Sequence, residues 1–492
     1  MKWLSILLIA VVTSVIIFFA SPLRLSSTIN VEGDWKEMRA RLEKQIPRLM
    51  DYYSIPGLII GLIEEGELAW SKAYGYAVLE TAAPMTIDAP CRVESISKSV
   101  TAWGVVKLVQ QGRIALDDPV ADYFQHWSFP PSEYPVEKIT VGQLLSHTAG
   151  MPLGQIGVRY DPYGDVPALE EVLNKEAVPM QEPGQAFSYS NTGYKLLELL
   201  IEEVSGLDFA DYMKKEVLLP IGIQHSDFDW VDSLASSIPH GYDDKGRAIP
   251  PYIYPDRAAG GLMAPMEDIA RFVAAGMLKY RSHGLQVLDS VHIQKLYRPE
   301  FEHPGVYGLA FDAYGLGHFI EWLPGGRKAV SHGGQGSGWM THFHAVPESG
   351  EGIVILTNSQ RSWPLFAYIL KSWASWAGFS SIGMGKIIWA TQVLWGIIGL
   401  LLFAALFSIW RLAVSWMEGR RHWDAFVVKD KPTRLIQLVA SVLIVIAVVW
   451  CMFQSYLFLA AVFPVAFRWL LGVLLLSGIL GIVSAFTLSR NI

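Results

Sequence analysis

Cysteine is almost missing from this chain: there are two, Cys91 and Cys451, and the second lies inside an apolar run where it cannot meet the first. Neither a disulfide framework nor a cysteine-based zinc site can be built from them. Charge is scarce as well, at 17% of residues against 51% hydrophobic ones, which is too apolar for 492 wholly soluble residues and puts part of the chain in a membrane. Basic residues are short in the middle. Residues 1–30 and 386–492 hold 11 of the 39 Lys and Arg but 3 of the 46 Asp and Glu, which leaves residues 31–385 with 28 and 43. So acidic a body repels phosphate backbones, and no nucleic-acid partner is expected. Internal repeats and low-complexity tracts are absent. The glycine-rich stretch Gly334 to Gly338 lacks the G-x-S-x-G spacing, which excludes an α/β-hydrolase nucleophile elbow.

What is present in excess is long uncharged runs. Trp3 to Ala20 follows Lys2 without a charge, is long for a signal-peptide core, and has Phe18 where a cleavage site would want a small residue. It reads as an uncleaved anchor helix, with a cleaved signal as the alternative. Three further runs, 387–410, 435–467 and 469–489, read as three membrane helices, the middle one interrupted by Pro464. The first linker, 411–434, carries Arg411, Arg420, Arg421, Lys429, Lys431 and Arg434, whereas the connection near Pro464 has only Arg468. The excess of positive charge places the 411–434 loop in the cytoplasm, and with it both termini. Residues 31–382 then form an extracytoplasmic domain between an N-terminal segment, 1–30, and a membrane domain, 383–492.

Within the outer body, GLIIGLIE (57–64) and LAWSKAYG (68–75) are β-rich runs separated by Glu65-Gly66-Glu67, a hairpin pattern. GLGHFIEW, KAVSH, WMTHFHAV and EGIVILTN are strand-like again far downstream, while Val100–Gln111, Tyr194–Val204 and Glu267–Leu278 have helical periodicity. The order predicts an α+β fold: one largely antiparallel sheet completed by both ends of the body, with flanking helices and a helical insertion. About 350 residues suffice for a large core.

Three short motifs can carry chemistry. Ser95-Ile96-Ser97-Lys98 is the only S-x-x-K in the chain and opens a helical run, so that both side chains share a face. A desolvated lysine loses its proton and can activate the serine, and the helix N-terminus offers N–H groups to an oxyanion. About two such tetrapeptides are expected by chance at this length, most of them solvated helix starts. Tyr189-Ser190-Asn191 lies on a loop or cap, where a tyrosine can pass protons and an asparagine can orient a carbonyl; a packed aromatic with an Asn cap is the plainer reading. His332-Gly333-Gly334 ends a strand, and its glycines would let a substrate lie close to the strand edge. Ser146-His147 are sequence neighbours whose side chains diverge, so their loop reads as structural. His342 and His344 alternate on one strand face with no third ligand, which leaves a reading without metal or cofactor. Cys91 reads as a small buried packer.

Occurring in this order on one body, the three motifs resemble those of the class C β-lactamase-like serine hydrolases, which include D-peptidases, penicillin-binding proteins and esterases. The resemblance covers most of residues 40–375, with LDDPVADYF (116–124), LLSHTAGMP (144–152), PGQAFSYSNTGY (183–194) and AAGGLMA (258–264) in support. The outer body followed by three apolar helices is also similar to membrane-bound, prodrug-maturing D-peptidases. The resemblance implies a β-lactamase/transpeptidase-like fold with Ser95 as acylated nucleophile, Lys98 and Tyr189 as proton-handling pair, and Asn191 orienting the substrate. His332, with Gly333 and Gly334, stands where lactamases carry the K-T-G lysine, and Gln335 lends its backbone N–H, with that of Ser95, to the oxyanion hole. A histidine is mostly neutral at pH 7 where a lysine would be charged, so peptidase or esterase activity is expected over efficient β-lactam hydrolysis. The expected function is that of a bacterial inner-membrane peptidase acting through an acyl-enzyme on D-residue-containing or N-acylated peptides. An esterase or β-lactamase of the same fold, or a non-catalytic receptor for cell-wall fragments, remains the alternative. The expected partners are a peptide-like or ester small molecule and the lipid bilayer; oligomeric state is left open.

Overall fold

A computed structural model describes residues 2–22, 35–235, 237–277, 279, 287–379, 382–423, 432–454 and 457–489. The chain divides into two compact units, residues 30–386 and residues 1–29 with 387–492.

In the larger unit the described residues form a nine-stranded sheet in which every neighbouring pair is antiparallel. Its order is Ala83–Pro84, Glu67–Val78, Gly57–Glu64, Glu351–Thr357, Trp339–Val346, Lys328–Gly336, Phe319–Trp322, Ala313–Tyr314 and Phe301–Glu302. The expected hairpin and the downstream strands are all there, and the two ends of the body meet in the middle, Leu58 opposite Thr357 and Ile63 opposite Gly352. Gly57–Glu64 is buried on both faces except at Glu64, which explains a continuous apolar run instead of an alternating one.

Each face of the sheet has its own helices. On one, Trp35–Tyr53 and Trp363–Trp376 pack together, Trp35 and Trp376 ring to ring at 5.4 Å, with Ser372 Oγ donating to Gln45 Oε1 at 3.0 Å. His342 and His344 point into this layer against Phe366 and Trp373 and are fully buried. On the other face, Phe343 meets Phe272 of the helix Met266–Ala275, and Phe272 meets Trp103 of the helix Ile96–Gln110. The latter helix is apolar nearly all round (ISKSVTAWGVVKLVQ) and is accordingly a central helix, buried on most sides. The rest of the helical insertion, including Val141–Leu145 and Asn191–Ser205, packs around it. The helix expected over Glu267–Leu278 runs from Met266 to Ala275, and Leu278 lies outside the described residues.

Among the described residues, four helices are long and apolar enough to cross a membrane: Trp3–Ala20, Gly383–Met417, Pro432–Phe453 and Pro464–Ala485. The boundaries differ from the expected runs. The first of the C-terminal helices continues through Arg411 to Met417 and stops before Gly419, whose φ of +64° suits a residue just past a helix end. Pro464 starts the last helix, where its missing N–H is harmless, so Arg468 belongs to that helix and not to a connection. Lys429, Lys431, Ser381 and Arg490 lie outside the described residues.

Candidate active site

Ser95 is the N-cap of the helix Ile96–Gln110, and Lys98 follows one turn later, fully buried. Because this helix is the hub of the core, a lysine on its first turn is carried out of water. Lys98 Nζ lies 3.1 Å from Ser95 Oγ and donates to Ala259 O at 2.7 Å. Burial pushes the amine down to about 7, against the pull of the Asp256 and Glu94 carboxylates and with the Lys195 cation opposing protonation. A large fraction of the amine is therefore neutral near pH 7, with a lone pair available to the serine hydroxyl.

Tyr189 stands beside Lys98, its ring 5.1 Å from Nζ, with its hydroxyl near enough to Ser95 to feel that hydroxyl. Burial holds the phenol well above its ordinary range, so it is a neutral hydroxyl that can pass a proton on. The next residue, Ser190, caps the helix Asn191–Ser205: its Oγ accepts from Gly193 N at 2.8 Å and donates to Pro152 O at 2.6 Å. Asn191 is the first residue of that helix, and its N–H donates to Leu153 O at 3.0 Å. Capping thus fixes the turn that presents Tyr189 and Asn191.

The third motif is placed differently from the expectation that His332 ends its strand. Lys328–Gly336 continues four residues further, paired with Trp339–Val346 throughout this stretch, whereas its other neighbour, Phe319–Trp322, stops at Ser331. From His332 onward that second edge carries no strand partner among the described residues. His332 lies opposite Phe343 and shares its face with the serine helix; Gly333 and Gln335 point to the opposite face, where Trp363 Nε1 donates to Gln335 Oε1 at 2.8 Å. Only the backbone of Gln335 is therefore on offer to the site. The glycines make room for protein as well: a Cβ on Gly333 would fall 2.5 Å from the Trp363 ring, and one on Gly334 2.3 Å from Val93 O.

His332 is fully buried. Its Nδ1 faces Gly333 O at 2.9 Å and so carries the proton, leaving Nε2 to accept from the Tyr314 hydroxyl at 3.2 Å. Burial and the nearby Lys98 hold it well below the ordinary histidine range. The ring is neutral and both nitrogens are used.

Three side chains that sequence reasoning did not assign to the site belong to it. His147, in LLSHTAGMP, adopts φ +59° after the short helix Val141–Leu145 and packs against Tyr189 with ring centres 4.3 Å apart and planes tilted by 39°. Its Nδ1 accepts from Ser190 N at 3.2 Å, so Nε2 bears the proton. Ser146 meanwhile turns away, donating to Gly142 O at 2.8 Å. Glu94, immediately before the serine at φ +53°, buries a carboxyl that accepts from the Tyr252 and Tyr254 hydroxyls at 2.9 and 3.1 Å. Desolvation raises it towards the neutral form, against the pull of Arg92. Gly336 has no side chain because a Cβ there would lie 2.2 Å from that carboxyl. Asp256 connects Lys98 electrostatically to Lys195, which is 3.9 Å away and also paired with Glu176 at 2.7 Å. Cys91 is buried, with its thiol pushed up to about 12.

A serine paired with a buried lysine, a neighbouring phenol and a strand with an open edge can together take a proton from a hydroxyl, return it to a leaving group and hold a chain against the strand. The comparisons agree with this architecture. The chain belongs to the beta-lactamase family, whose family model matches residues 42–370. It is 22% identical over 367 residues to penicillin-binding protein 4* of Bacillus subtilis (strain 168), covering 68% of this chain and 75% of that protein. Protein flp of Staphylococcus aureus (strain N315) is 24% identical, with 65% of this chain matched to 63% of flp, so the chain spans less than two thirds of that relative. Among solved structures, the octameric penicillin-binding protein homologue from Pyrococcus abyssi superposes with a TM-score of 0.58 at 28% identity, covering 69% of this chain and 77% of the other. SurE superposes with a TM-score of 0.58 at 24% identity, covering 71% and 78%, and its structure has also been solved with D-Leu. The fold is the penicillin-binding-protein-like serine hydrolase fold.

Proposed function

We propose that this protein is a membrane-anchored serine hydrolase that cleaves amide or ester bonds of small peptide-like molecules through an acyl-enzyme, with its catalytic body on the extracytoplasmic side. The observation that carries the reading is the buried Lys98 amine, about 7 in pKa and 3.1 Å from Ser95 Oγ. Ser95 Oγ attacks the substrate carbonyl carbon while its proton passes to Lys98 Nζ. The Ser95 and Gln335 N–H groups receive the developing oxyanion. As the carbonyl re-forms, the bond to the amine or alcohol breaks, and the Tyr189 hydroxyl relays a proton to that leaving group. Water then attacks the ester carbonyl, gives its proton back through the same pair, and releases the acid and free Ser95. Asn191 orients the substrate, which lies along the open edge at His332, Gly333 and Gly334.

The neutral His332 favours peptidase or esterase chemistry over β-lactam hydrolysis, since it offers no permanent cation to a substrate carboxylate. Peptides with D-residues or N-acyl groups are the first substrates to try. The test is labelling of the full-length protein with a fluorophosphonate probe and location of the adduct by mass spectrometry. An adduct on Ser95, lost in Ser95→Ala, is expected; intact protein that takes up no probe would overturn the hydrolase reading and favour a non-catalytic receptor. Turnover of paired D- and L-residue peptides and esters, beside a chromogenic cephalosporin, then ranks the substrate classes.

A further inference from the structure

The three C-terminal helices line a second, partly open polar site, within one compact unit and built from residues the hydrolase chemistry does not use. Ser408 and Arg411 of Lys386–Met417, Gln437 of Pro432–Phe453, and Ser477 and Ser484 of Pro464–Ala485 line a cavity of about 300 Å³, together with Arg421. That volume is at the lower end of what small-ligand clefts offer, roughly 300–1,000 Å³. Arg434 adjoins it, donating from Nη1 to Ser484 O at 2.6 Å, and Arg421 Nη1 donates to Thr487 Oγ1 at 3.0 Å.

Three guanidinium groups thus gather at one end of apolar helices, and Arg421 feels the repulsion of both Arg411 and Arg434. Among the described residues no carboxylate pairs with any of the three; Glu418 is taken by Arg420. Arg411 has no hydrogen-bond partner there either. Unpaired cations beside hydrocarbon are costly, and an anion that accepts from them turns that cost into charge-assisted bonds. The hydroxyls narrow the chemistry. Ser408 Oγ donates to Ala404 O and Ser477 Oγ to Val473 O, each at 2.8 Å, so both retain only acceptor capacity. A ligand that suits the whole lining therefore carries an anionic group for the arginines, which a phosphate with its several acceptor oxygens can share among them, and hydroxyl donors for the serines.

We propose that this cavity binds a glycerol phosphate group, as the headgroup of an anionic glycerophospholipid or as the free ester. The full-length protein, purified in neutral detergent, is titrated with phosphatidylglycerol, phosphatidylcholine, glycerol 3-phosphate and inorganic phosphate, and its thermal midpoint is followed by tryptophan fluorescence. A saturable rise with phosphatidylglycerol and none with phosphatidylcholine is expected. A rise with glycerol 3-phosphate instead would assign the site to the soluble ester. In Arg411→Gln/Arg421→Gln the affinity should fall on the order of tenfold or more, while Arg411→Lys/Arg421→Lys should retain part of it. No rise with any anion, a response only to inorganic phosphate, or an equal response in the Gln variant would overturn the proposal. Should the Gln variant not fold, native mass spectrometry of the wild-type protein decides: phosphatidylglycerol retained over phosphatidylcholine at equal mole fraction supports the site, and equal retention sinks it.

Discussion

Lys98 shows how much of this site rests on a single solvation effect. The lysine loses its proton near pH 7 because the helix bearing it is buried on most sides, so labelling of Ser95 should rise with pH through a midpoint near 7. No alkaline fall from Tyr189 is expected before pH 10, since that phenol is held above its ordinary range. Arginine cannot give up its proton, so Lys98→Arg should slow labelling by roughly 10²–10⁴-fold; a near wild-type rate in folded protein would make Lys98 merely structural. The same depression has a thermodynamic sign. Between pH about 7 and the ordinary lysine value of 10.5 the unfolded chain binds a proton that the folded one does not, so this group's contribution to stability rises with pH across that window. His147 works at one remove, as a positioning residue for Tyr189 through its tilted ring contact and its bond from Ser190 N. His147→Ala should cut labelling by roughly 10-fold to 10²-fold. His147→Gln, which keeps an acceptor for Ser190 N, should recover part of that loss, and equal rates in the two variants would remove the positioning role.

At the scale of elements, the site is a junction between a helix N-terminus, a capped turn and a strand, and the contacts that hold the junction are long-range. Thr341 Oγ1 donates to Val93 O at 2.7 Å, tying the approach to Ser95 onto the central sheet across the space that Gly334 leaves open. Gly334→Ala would set a methyl 2.3 Å from both of those oxygens. Overpacking of that kind costs about 1–3 kcal/mol. A lowered thermal midpoint with slowed Ser95 labelling is expected, and an unchanged rate would show that the strand and the serine loop are not coupled. Local pattern was enough to find the elements themselves: period-two and continuous apolar runs marked the strands, and Trp339–Val346 has the bounds its sequence suggested. It was not enough to see where the histidine strand stops. The backbone of His332 to Gly336 is extended because Trp339–Val346 pairs with it, and a turn-rich glycine sequence gives no sign of that partner.

For the whole molecule, the distribution of charge bears on sidedness. Lys2 and the basic residues from Arg411 to Arg434 flank apolar helices, while the body between is acidic. An alkaline-phosphatase fusion after Ser381 should be active and one near Arg421 inactive; the opposite pattern would turn the active site towards the cytoplasm and discard exported substrates. Composition, apolar run length and the order of three short motifs were sufficient by themselves to establish the apolar helices and the α+β class and to single out the candidate serine–lysine pair, because each is written in residues close together along the chain. Burial is not local. That Lys98 is dry, that His332 spends both nitrogens on Gly333 and Tyr314, that His147 supports a tyrosine 42 positions later, and that Arg411 and Arg421 share one cavity with Arg434 beside it were decided only by tertiary packing. Solvation and hydrogen-bond partners depend on segments that meet only when the chain is folded, and they turn a common tetrapeptide into a candidate nucleophile.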